Sequence, residues 1–305
     1  MRIGIIGGGA IGLLVASYAR KANIDVTIIT RTVEQKQKLL QHGLTLKFID
    51  GSCEHYDVCA STSFHSTSGV DFLFIAVKQY DLQNVITKLQ HELEQIPPLA
   101  FLQNGMSHLS LLNKMNSEPL FVVIVEHGAL KESETTVVHT GKGKMLIGSY
   151  RGSVAPYRQM MLKLSEVGLP FVISDDWHWQ MQKKLLANIC INPLTALYRV
   201  ENGMLISNSY LCMNMRAVFE EAIRVLKLDQ KKQPLWEYVT GICEKTKHNR
   251  SSMLRDFENE KTTEIDAICG YFIEEAKKNG TSLSLIPFLY HSIKGLERER
   301  RESHG

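Results

Sequence analysis

The amino-acid sequence predicts an α/β fold, with a doubly wound parallel sheet in the N-terminal half and a C-terminal all-helical domain. Up to about residue 174, short apolar runs rich in β-branched residues alternate with amphipathic stretches, which is typical of a parallel sheet covered by helices. Beyond Asp176 the apolar residues instead recur with the 3.6-residue period of helices. This change of period predicts two domains, residues 1–174 and residues 175–305.

The strands of the first domain follow from these apolar runs, and we predict them over residues 2–6, 25–30, 71–77, 100–102 and 120–125. Residues 137–140 and 145–149 are predicted to pair as a hairpin that ends the sheet. The reason is that Gly141 and Gly143, which lie between them, accept the positive φ of a tight turn. A helix over residues 154–168 and a strand over residues 171–174 complete this half.

The helices of the second domain are predicted over residues 177–191, 210–228, 235–248, 263–279 and 284–298. The fourth has the clearest pattern, with apolar residues at positions i, i+3, i+4, i+7, i+8 and i+11 from Ile265. Thr263 is its predicted N-cap, and Gly280 is its predicted C-terminal stop.

Composition narrows the class of protein. The chain has 305 residues, of which 44% are hydrophobic and 22% charged, as expected for a packed globular protein. Its net charge of +3 comes from interleaved acidic and basic residues, so there is no basic stripe for nucleic acid. The six cysteines contain no CxxC pair, and no apolar stretch reaches the roughly 18 residues of a membrane span. We therefore expect a cytoplasmic protein without a metal site, for which a homodimer is compatible with the sequence.

A glycine-rich motif directly follows the first predicted strand and opens the first predicted helix, over residues 10–21. It matches GxGxxG and consists of Gly7, Gly8, Gly9, Ala10, Ile11 and Gly12. Such a motif gives a tight turn, lets a pyrophosphate approach the backbone and lets helix and strand pack closely. The context predicts a Rossmann-type dinucleotide site, the alternative being a glycine-rich turn of purely structural use.

The end of the second strand indicates which dinucleotide is bound. A site that prefers NAD normally carries an acid there to bind the ribose 2′-hydroxyl, but this chain has Arg31. An arginine would pair with a 2′-phosphate, which favours NADPH over NADH. Lys78 follows the third strand, at the edge where open α/β sheets bind ligands. The alternative is that both are solvated surface residues.

Candidate catalytic residues occur in the first predicted helix of the second domain. Lys184, Asn188 and Asn192 lie four residues apart and share one helix face, whereas Lys183 points about 100 degrees away. Hydride reduction of a ketone develops negative charge on oxygen, and a lysine ammonium can stabilise that charge and donate the proton. Spacing alone fits a polar site or a solvated stripe equally well.

Other polar residues are ambiguous when taken singly. Glu264 borders the apolar stripe of its helix but could simply complement the helix N-terminus. Asn104, after the fourth strand, forms an ordinary turn pair with Gly105 unless this edge of the sheet is the site. Ser251 and Ser252 could cap the next helix, and a histidine without an acid partner, such as His127, is more often structural.

Taken together and in order, these residues resemble the ketopantoate reductase (2-dehydropantoate 2-reductase) family along nearly the whole chain. The segments that carry the resemblance are the glycine motif, residues 103–106, 184–196, 202–203, 249–254 and 263–266. The resemblance implies NADPH-dependent reduction of 2-dehydropantoate to pantoate, a step toward pantothenate and coenzyme A. Two alternatives stay open, a reductase of another small 2-keto acid and a non-catalytic NADPH-binding sensor.

The resemblance also implies roles for individual residues. Lys184 would be the general acid, and Glu264 would support catalysis and substrate binding. Asn104 would lie between nicotinamide and substrate, while Arg31 and Lys78 would contact the cofactor. Asn188 and Asn192 would hold the lysine and bind the substrate hydroxyl, and Asn249 and Ser252 would bind the substrate carboxylate.

Overall fold

The computed structural model describes residues 1–303, which form two compact units. The first comprises residues 1–103 and 108–178, and the second comprises residues 104–107 and the chain from Trp179 onward. All the strands of the described chain lie in the first unit, and the last of them ends at Ile173. Among residues 1–303, no helix has both the length and the apolar character needed to cross a membrane.

The strands are β1 (Arg2–Ile6), β2 (Asp25–Ile29), β3 (Leu44–Phe48), β4 (Cys53–Tyr56), β5 (Cys59–Ser61), β6 (Phe72–Ile75), β7 (Leu99–Phe101), β8 (Leu120–Val125), β9 (Gly128–Lys131), β10 (Thr136–Gly141), β11 (Met145–Arg151) and β12 (Phe171–Ile173). The helices are α1 (Ala10–Lys21), α2 (Val33–His42), α3 (Gln79–Glu92), α4 (Leu109–Leu112), α5 (Arg158–Glu166), α6 (Trp177–Tyr198), α7 (Met204–Ser207), α8 (Ser209–Val225), α9 (Lys232–Lys245), α10 (Ser252–Glu258), α11 (Tyr271–Asn279) and α12 (Leu285–Ser303). Short 3₁₀ turns cover Phe64–Thr67, Ala155–Tyr157 and Asp229–Lys231, and a π-helix covers Asp266–Gly270.

The main sheet has the strand order β12-β11-β8-β7-β6-β1-β2-β5. Neighbouring strands are parallel except for β8 and β11, which are antiparallel. From β1 the chain moves outward through β2 to β5, and then returns to β6 on the other side of β1 and continues to β7 and β8. The strand order therefore reverses between β1 and β6, and ligands of open α/β sheets bind at the carboxyl ends of such a pair.

A second sheet, with the order β4-β3-β10-β9, packs on the opposite side of α1 from β1 and β2. Leu13, Leu14, Val15 and Ala16 of α1 are fully buried, because this helix contacts strands of both sheets. Strands β3, β4 and β9 were not expected from the sequence. They are short and carry charged residues on their open face, so their apolar signal is weak.

The predicted hairpin is wrong. Strand β10 pairs with β3 and β9 in the second sheet, whereas β11 pairs with β8 and β12 in the main sheet. Neither Gly141 nor Gly143 has a positive φ, so the chain crosses between sheets here instead of turning back. A Cβ on Gly143 would lie 2.3 Å from the carbonyl oxygen of Glu126, which shows why glycine is needed at the crossing.

His127 is part of a buried chain of hydrogen bonds that joins α1 to β10. Tyr18 Oη lies 2.7 Å from His139 Nδ1, and His139 Nε2 lies 3.0 Å from His127 Nδ1. Burial, followed by the proximity of His139, lowers the pKa of His127 to about 4. The imidazole is therefore neutral at pH 7 and has a structural partner, as the sequence interpretation expected.

In the second unit the buried carboxylate of Glu221 on α8 binds the N-terminus of α12. It accepts hydrogen bonds from the backbone N–H groups of Ser284 (2.9 Å), Leu285 (3.0 Å) and Ile286 (3.0 Å), and from the hydroxyl of Ser284 (2.8 Å). Burial alone would raise the pKa of this carboxyl, but these hydrogen bonds outweigh it and leave the pKa below its usual value. The contribution to stability is thus present above the unfolded-state pKa and is lost as pH falls through the folded-state pKa.

Replacing Glu221 with alanine should destabilise the second unit by about 2 to 4 kcal/mol, because several helix N–H groups lose a charged acceptor. Thermal unfolding followed by circular dichroism measures the change. The matched control is Glu220→Ala, since Glu220 makes partly exposed ion pairs with Arg216 and Lys232 that contribute about 1 kcal/mol or less. Equal shifts in Tm for the two variants would contradict this assignment.

Candidate active site

The glycine motif forms the turn between β1 and α1, at the switch point of the main sheet. Gly7 has φ +117°, and a Cβ there would lie 2.9 Å from the carbonyl of Ala76, in the segment after β6. A Cβ on Gly12 would lie 1.9 Å from the carbonyl oxygen of Gly7, so only glycine lets the helix pack this closely. At Gly9 nothing lies within 4 Å of the position of a Cβ, which leaves the backbone open to a close ligand. The turn therefore has the shape that a pyrophosphate requires.

The start of α1 has the electrostatic character of an anion site. The helix begins at Ala10, followed by Ile11, and its first turn contains no acidic residue. Its N-cap residue is Gly9, which has no side chain to occupy the first N–H groups. These N–H groups and the positive end of the helix dipole attract phosphate. The residues present fit a dinucleotide.

The turn is braced by a residue that the sequence interpretation missed. Gln35 on α2 is 5% exposed, and its Nε2 donates to the carbonyl oxygens of Gly8 (2.8 Å) and Glu134 (3.0 Å). A second missed glutamine, Gln103, donates from Nε2 to the carbonyl oxygens of Ile75 (2.9 Å) and Val77 (3.0 Å). Neither glutamine gives a signal in the sequence. What distinguishes them is the burial of their amides, and burial is not visible in the sequence.

Arg31 and Lys78 both follow strands of the main sheet, as expected. Arg31 lies two residues after β2, its side chain is exposed, and it has no hydrogen bond or ion pair with any other residue among positions 1–303. Its guanidinium is therefore available to an anion. Lys78 is half-buried and directly precedes α3, in the segment after β6. Both parallel strands end at the same edge of the sheet as β1.

Three of the candidate residues form one hydrogen-bonded chain in the second unit. The ammonium of Lys184 donates to Asn104 Oδ1 at 2.9 Å, and Asn104 Nδ2 donates to Glu264 Oε2 at 3.0 Å. Since ammonium groups only donate and carboxylates only accept, the orientation of the Asn104 amide is determined by its two partners. Glu264 is 8% exposed, and the other two side chains are half-buried.

Local structure determines how these side chains are presented. Lys184 lies on α6, where Leu185 and Leu186 are buried and hold the helix in place. Asn104 precedes Gly105, which has φ +80° and approaches the π-helix so closely that a Cβ would lie 2.5 Å from the carbonyl oxygen of Ala267. This contact explains why the segment 104–107 packs with the helical unit.

The expectation that Asn188 and Asn192 hold the lysine is wrong, because the bond to Lys184 comes from Asn104. Neither asparagine side chain makes a hydrogen bond with another residue of the described chain. Asn188 is half-buried and Asn192 is 7% exposed, so their amides remain free for another partner.

The last two candidates lie around the start of α10. Asn249 is exposed, and its carbonyl oxygen accepts from the backbone N–H of Asn202 at 3.0 Å. Ser252 is exposed and is the first residue of α10. The cap of this helix is Ser251, whose hydroxyl accepts from the N–H of Leu254 at 3.1 Å. Ser252 is therefore not needed as a cap.

Chemically, the three hydrogen-bonded residues place the ammonium of Lys184, with its N–H donors, beside the amide of Asn104 and the carboxylate of Glu264. A positioned ammonium can stabilise an oxyanion and supply a proton in the same step. A parallel sheet with a glycine turn at its switch point, together with such a site, is typical of dinucleotide-dependent oxidoreductases.

Comparison with known proteins identifies the family to which the chain belongs within this class. The family described as "Ketopantoate reductase PanE/ApbA" matches residues 3–152, and that described as "Ketopantoate reductase PanE/ApbA C terminal" matches residues 176–297. The 2-dehydropantoate 2-reductase of Bacillus subtilis is 40% identical over 301 residues, which cover 98% of both chains. That of Listeria monocytogenes is 36% identical, again with 98% of both chains covered. The chain belongs to the ketopantoate reductase family, and it is an oxidoreductase.

Solved structures agree with this assignment. The crystal structure of a probable 2-dehydropantoate 2-reductase from Bacillus subtilis has a TM-score of 0.86 at 38% identity, and the match covers 97% of this chain and 100% of that one. A ternary structure of D-mandelate dehydrogenase with NADH and anilino(oxo)acetate has a TM-score of 0.89 at 22% identity, covering 98% and 99% of the two chains. The second likeness shows the shared fold alone.

Proposed function

We propose that this protein reduces the ketone of 2-dehydropantoate to the alcohol of pantoate with NADPH, a step toward pantothenate and coenzyme A. The observation that carries the proposal is the hydrogen-bonded chain of Lys184, Asn104 and Glu264. The name of the relatives that are 36% and 40% identical over nearly the full chain supports the substrate. A cofactor-binding sensor would not need these three polar residues to be joined.

The proposed reaction assigns a role to each of the three hydrogen-bonded residues, Lys184, Asn104 and Glu264. Bound NADPH supplies the hydride to the carbonyl carbon. Lys184 stabilises the oxyanion that develops and donates a proton from Nζ to it, which completes the alcohol. Asn104 holds the ammonium at a defined position, and Glu264 holds the amide and supports the substrate. Asn188, Asn192, Asn249 and Ser252 are proposed as the remaining substrate-binding residues.

We also propose the division of labour between the domains. Residues 1–174 would bind NADP through the glycine motif, Arg31 and Lys78, and residues 175–305 would carry the substrate-binding and catalytic groups. Asn104 would serve both, since it follows β7 in sequence but packs in the helical unit. A cytoplasmic location and a homodimer complete the proposal. The homodimer is supported by the dimeric ketopantoate reductase of Staphylococcus aureus and by the strongly exposed Tyr210 and Met213 on α8.

The experiment that tests the activity is NADPH oxidation by the purified protein, followed at saturating cofactor against a panel of 2-keto acids. We expect 2-dehydropantoate to give the highest kcat/KM. The D-mandelate dehydrogenase structure shares the fold, so the panel includes phenylglyoxylate as the competing aromatic 2-keto acid. A preference for another acid would reassign the substrate, and turnover of none would favour the sensor.

Replacing Arg31 with alanine should weaken NADPH binding by roughly ten- to a hundredfold, because a charge-assisted contact to the 2′-phosphate contributes about 1.5 to 3 kcal/mol. NADH lacks this phosphate, so its affinity should hardly change. Titration calorimetry with both cofactors measures the two dissociation constants. Equal losses for NADPH and NADH would show that Arg31 acts on folding instead of on the phosphate.

A further inference from the structure

The turn that carries Glu264 is held on both sides by side chains of α12. On the N-terminal side, Glu297 Oε1 accepts from the backbone N–H of Thr263 at 2.7 Å. Thr263 is 1% exposed and Glu297 is 4% exposed, so this bond is shielded from water. Burying a carboxylate costs free energy unless hydrogen bonds replace its lost hydration. This carboxylate binds the residue directly before Glu264.

On the C-terminal side, α12 binds Asp266. The hydroxyl of Tyr290 donates to Asp266 Oδ1 at 2.7 Å, and Lys294 Nζ donates to Asp266 Oδ2 at 2.9 Å. Tyr290, Lys294 and Glu297 are spaced i, i+4 and i+7, which places them on one face of the helix. One helix face therefore contacts the residues two after and one before Glu264.

From the second attachment, Asp266, the backbone departs from α-helical geometry. A π-helix covers Asp266–Gly270, directly after the Glu264 turn. Such segments are rare and occur frequently at functional sites. The carbonyl oxygen of Ala267 in this π-helix also lies 3.5 Å from Ser107 Oγ, in the segment that carries Asn104. The same helical turn thus locates both partners of the bond between Asn104 and Glu264.

We propose that Glu297 is a positioning residue for Glu264, and that Tyr290 and Lys294 assist it through Asp266. The inference rests on the proposed function, in which Glu264 supports the substrate and Asn104. A glutamate side chain has three rotatable bonds, and a misplacement of about 1 Å in an active site costs about a hundredfold in rate. The bonds to the Thr263 N–H and to the Asp266 carboxylate fix the backbone position from which the Glu264 side chain extends. Glu297 itself need not touch the substrate.

The test compares Glu297→Ala, which removes the acceptor, with Glu297→Gln, which keeps an acceptor oxygen. Loss of a charged hydrogen bond should lower kcat/KM for 2-dehydropantoate roughly ten- to a hundredfold in Glu297→Ala, with the NADPH dissociation constant unchanged. Glu297→Gln should stay within a few-fold of wild type. The matched control is Arg298→Ala, because the Arg298 side chain is 80% exposed and, among the described residues, pairs only with Glu302 on the same helix.

A double-mutant cycle separates positioning from general damage to the fold. In the background of Glu264→Ala, Glu297→Ala should cause almost no further loss, because there is no carboxylate left to position. If Glu297→Ala does not fold, Tyr290→Phe replaces it in the cycle. That variant deletes one hydroxyl and should lower kcat/KM by about two- to tenfold in the wild-type background only.

The positioning role would be overturned if Glu297→Ala lowered kcat/KM by the same factor with and without the Glu264 carboxylate. It would also be overturned if Glu297→Gln lowered kcat/KM as much as Glu297→Ala does. A failure of the underlying function looks different. In that case the wild-type protein would not reduce 2-dehydropantoate, or Glu264→Ala alone would keep full activity.

Discussion

Replacing Lys184 with alanine is expected to lower kcat for 2-dehydropantoate by about a hundred- to ten-thousandfold, the usual cost of losing a general acid. The alkoxide formed by hydride transfer needs a positive charge and a proton at one point, and Lys184 supplies both from an ammonium held by Asn104. Steady-state kinetics at saturating NADPH measure the effect. The NADPH dissociation constant should stay nearly constant, since the glycine motif, Arg31 and Lys78 lie in the other unit.

The neighbouring Lys183 provides the control. Its ammonium lies 5.9 Å from the ring centroid of Trp179 and 5.4 Å from that of Tyr238, so it is engaged in cation–π contacts. Such contacts contribute about 0.5 to 1 kcal/mol at partly exposed sites, and Lys183→Ala should therefore be close to wild type in kcat. If Lys184→Ala kept more than about a tenth of wild-type kcat, its role as the proton donor would be wrong.

Replacing Glu264 with alanine is expected to lower kcat/KM by a similar factor, about a hundred- to ten-thousandfold. The loss has two causes. Asn104 Nδ2 loses its acceptor, so the amide is free to rotate and no longer holds Lys184. The substrate also loses the carboxylate that supports it. Steady-state kinetics over a range of 2-dehydropantoate concentrations separate the effects on KM and kcat.

Two variants control for Glu264. Glu264→Gln keeps an oxygen that can accept from Asn104, so it should lose less activity than Glu264→Ala. Glu274→Ala removes an exposed carboxylate from α11 that pairs with Lys277, and it should leave kcat/KM unchanged. Activity in Glu264→Ala that matched the Glu274→Ala control would mean that the carboxylate has no part in the reaction.

Much of the fold could be predicted because its signals are local. Strands β1 and β8 and helix α1 have the predicted bounds, since each is a continuous apolar or amphipathic run bounded by glycine or charge. Helix α6 was expected to end at residue 191 but continues to Tyr198 through Pro193. Pro193 has no N–H to bond the carbonyl oxygen of Ile189, and the helix nevertheless continues. In the added part the hydroxyl of Thr195 donates to the carbonyl oxygens of Ile191 and Asn192.

The second sheet was missed, and the hairpin was wrongly predicted, because the pairing of these strands is not local in the sequence. Pairing of β3 with β10 joins residues about 90 positions apart, and no local pattern in the sequence specifies that partner. The apolar residues of β10 fit a hairpin as well as they fit a second sheet. The choice is made by β11, whose first four residues are all buried and belong in the interior of the main sheet.

The contacts within the candidate site could not be predicted for the same reason. Asn104 is 80 positions from Lys184 and 160 from Glu264, so helical spacing could not join them, and it favoured Asn188 and Asn192 instead. Likeness to a family pointed to Asn104 and Glu264, which the structure joins to each other and to Lys184. The bracing glutamines, Gln35 and Gln103, were missed because their importance lies in backbone carbonyls that only the folded chain brings near.

The most direct test of the account is a single-turnover measurement of hydride transfer. Enzyme in excess over NADPH, so that all of the NADPH is bound and only one turnover can occur, is mixed with excess 2-dehydropantoate, and the loss of nicotinamide absorbance is followed for wild type, Lys183→Ala and Lys184→Ala. We predict equal rates for the first two and a rate at least a hundredfold lower for Lys184→Ala, because the barrier to forming the alkoxide rises without the ammonium. A rate for Lys184→Ala within tenfold of wild type would contradict the assignment of this lysine as the catalytic acid.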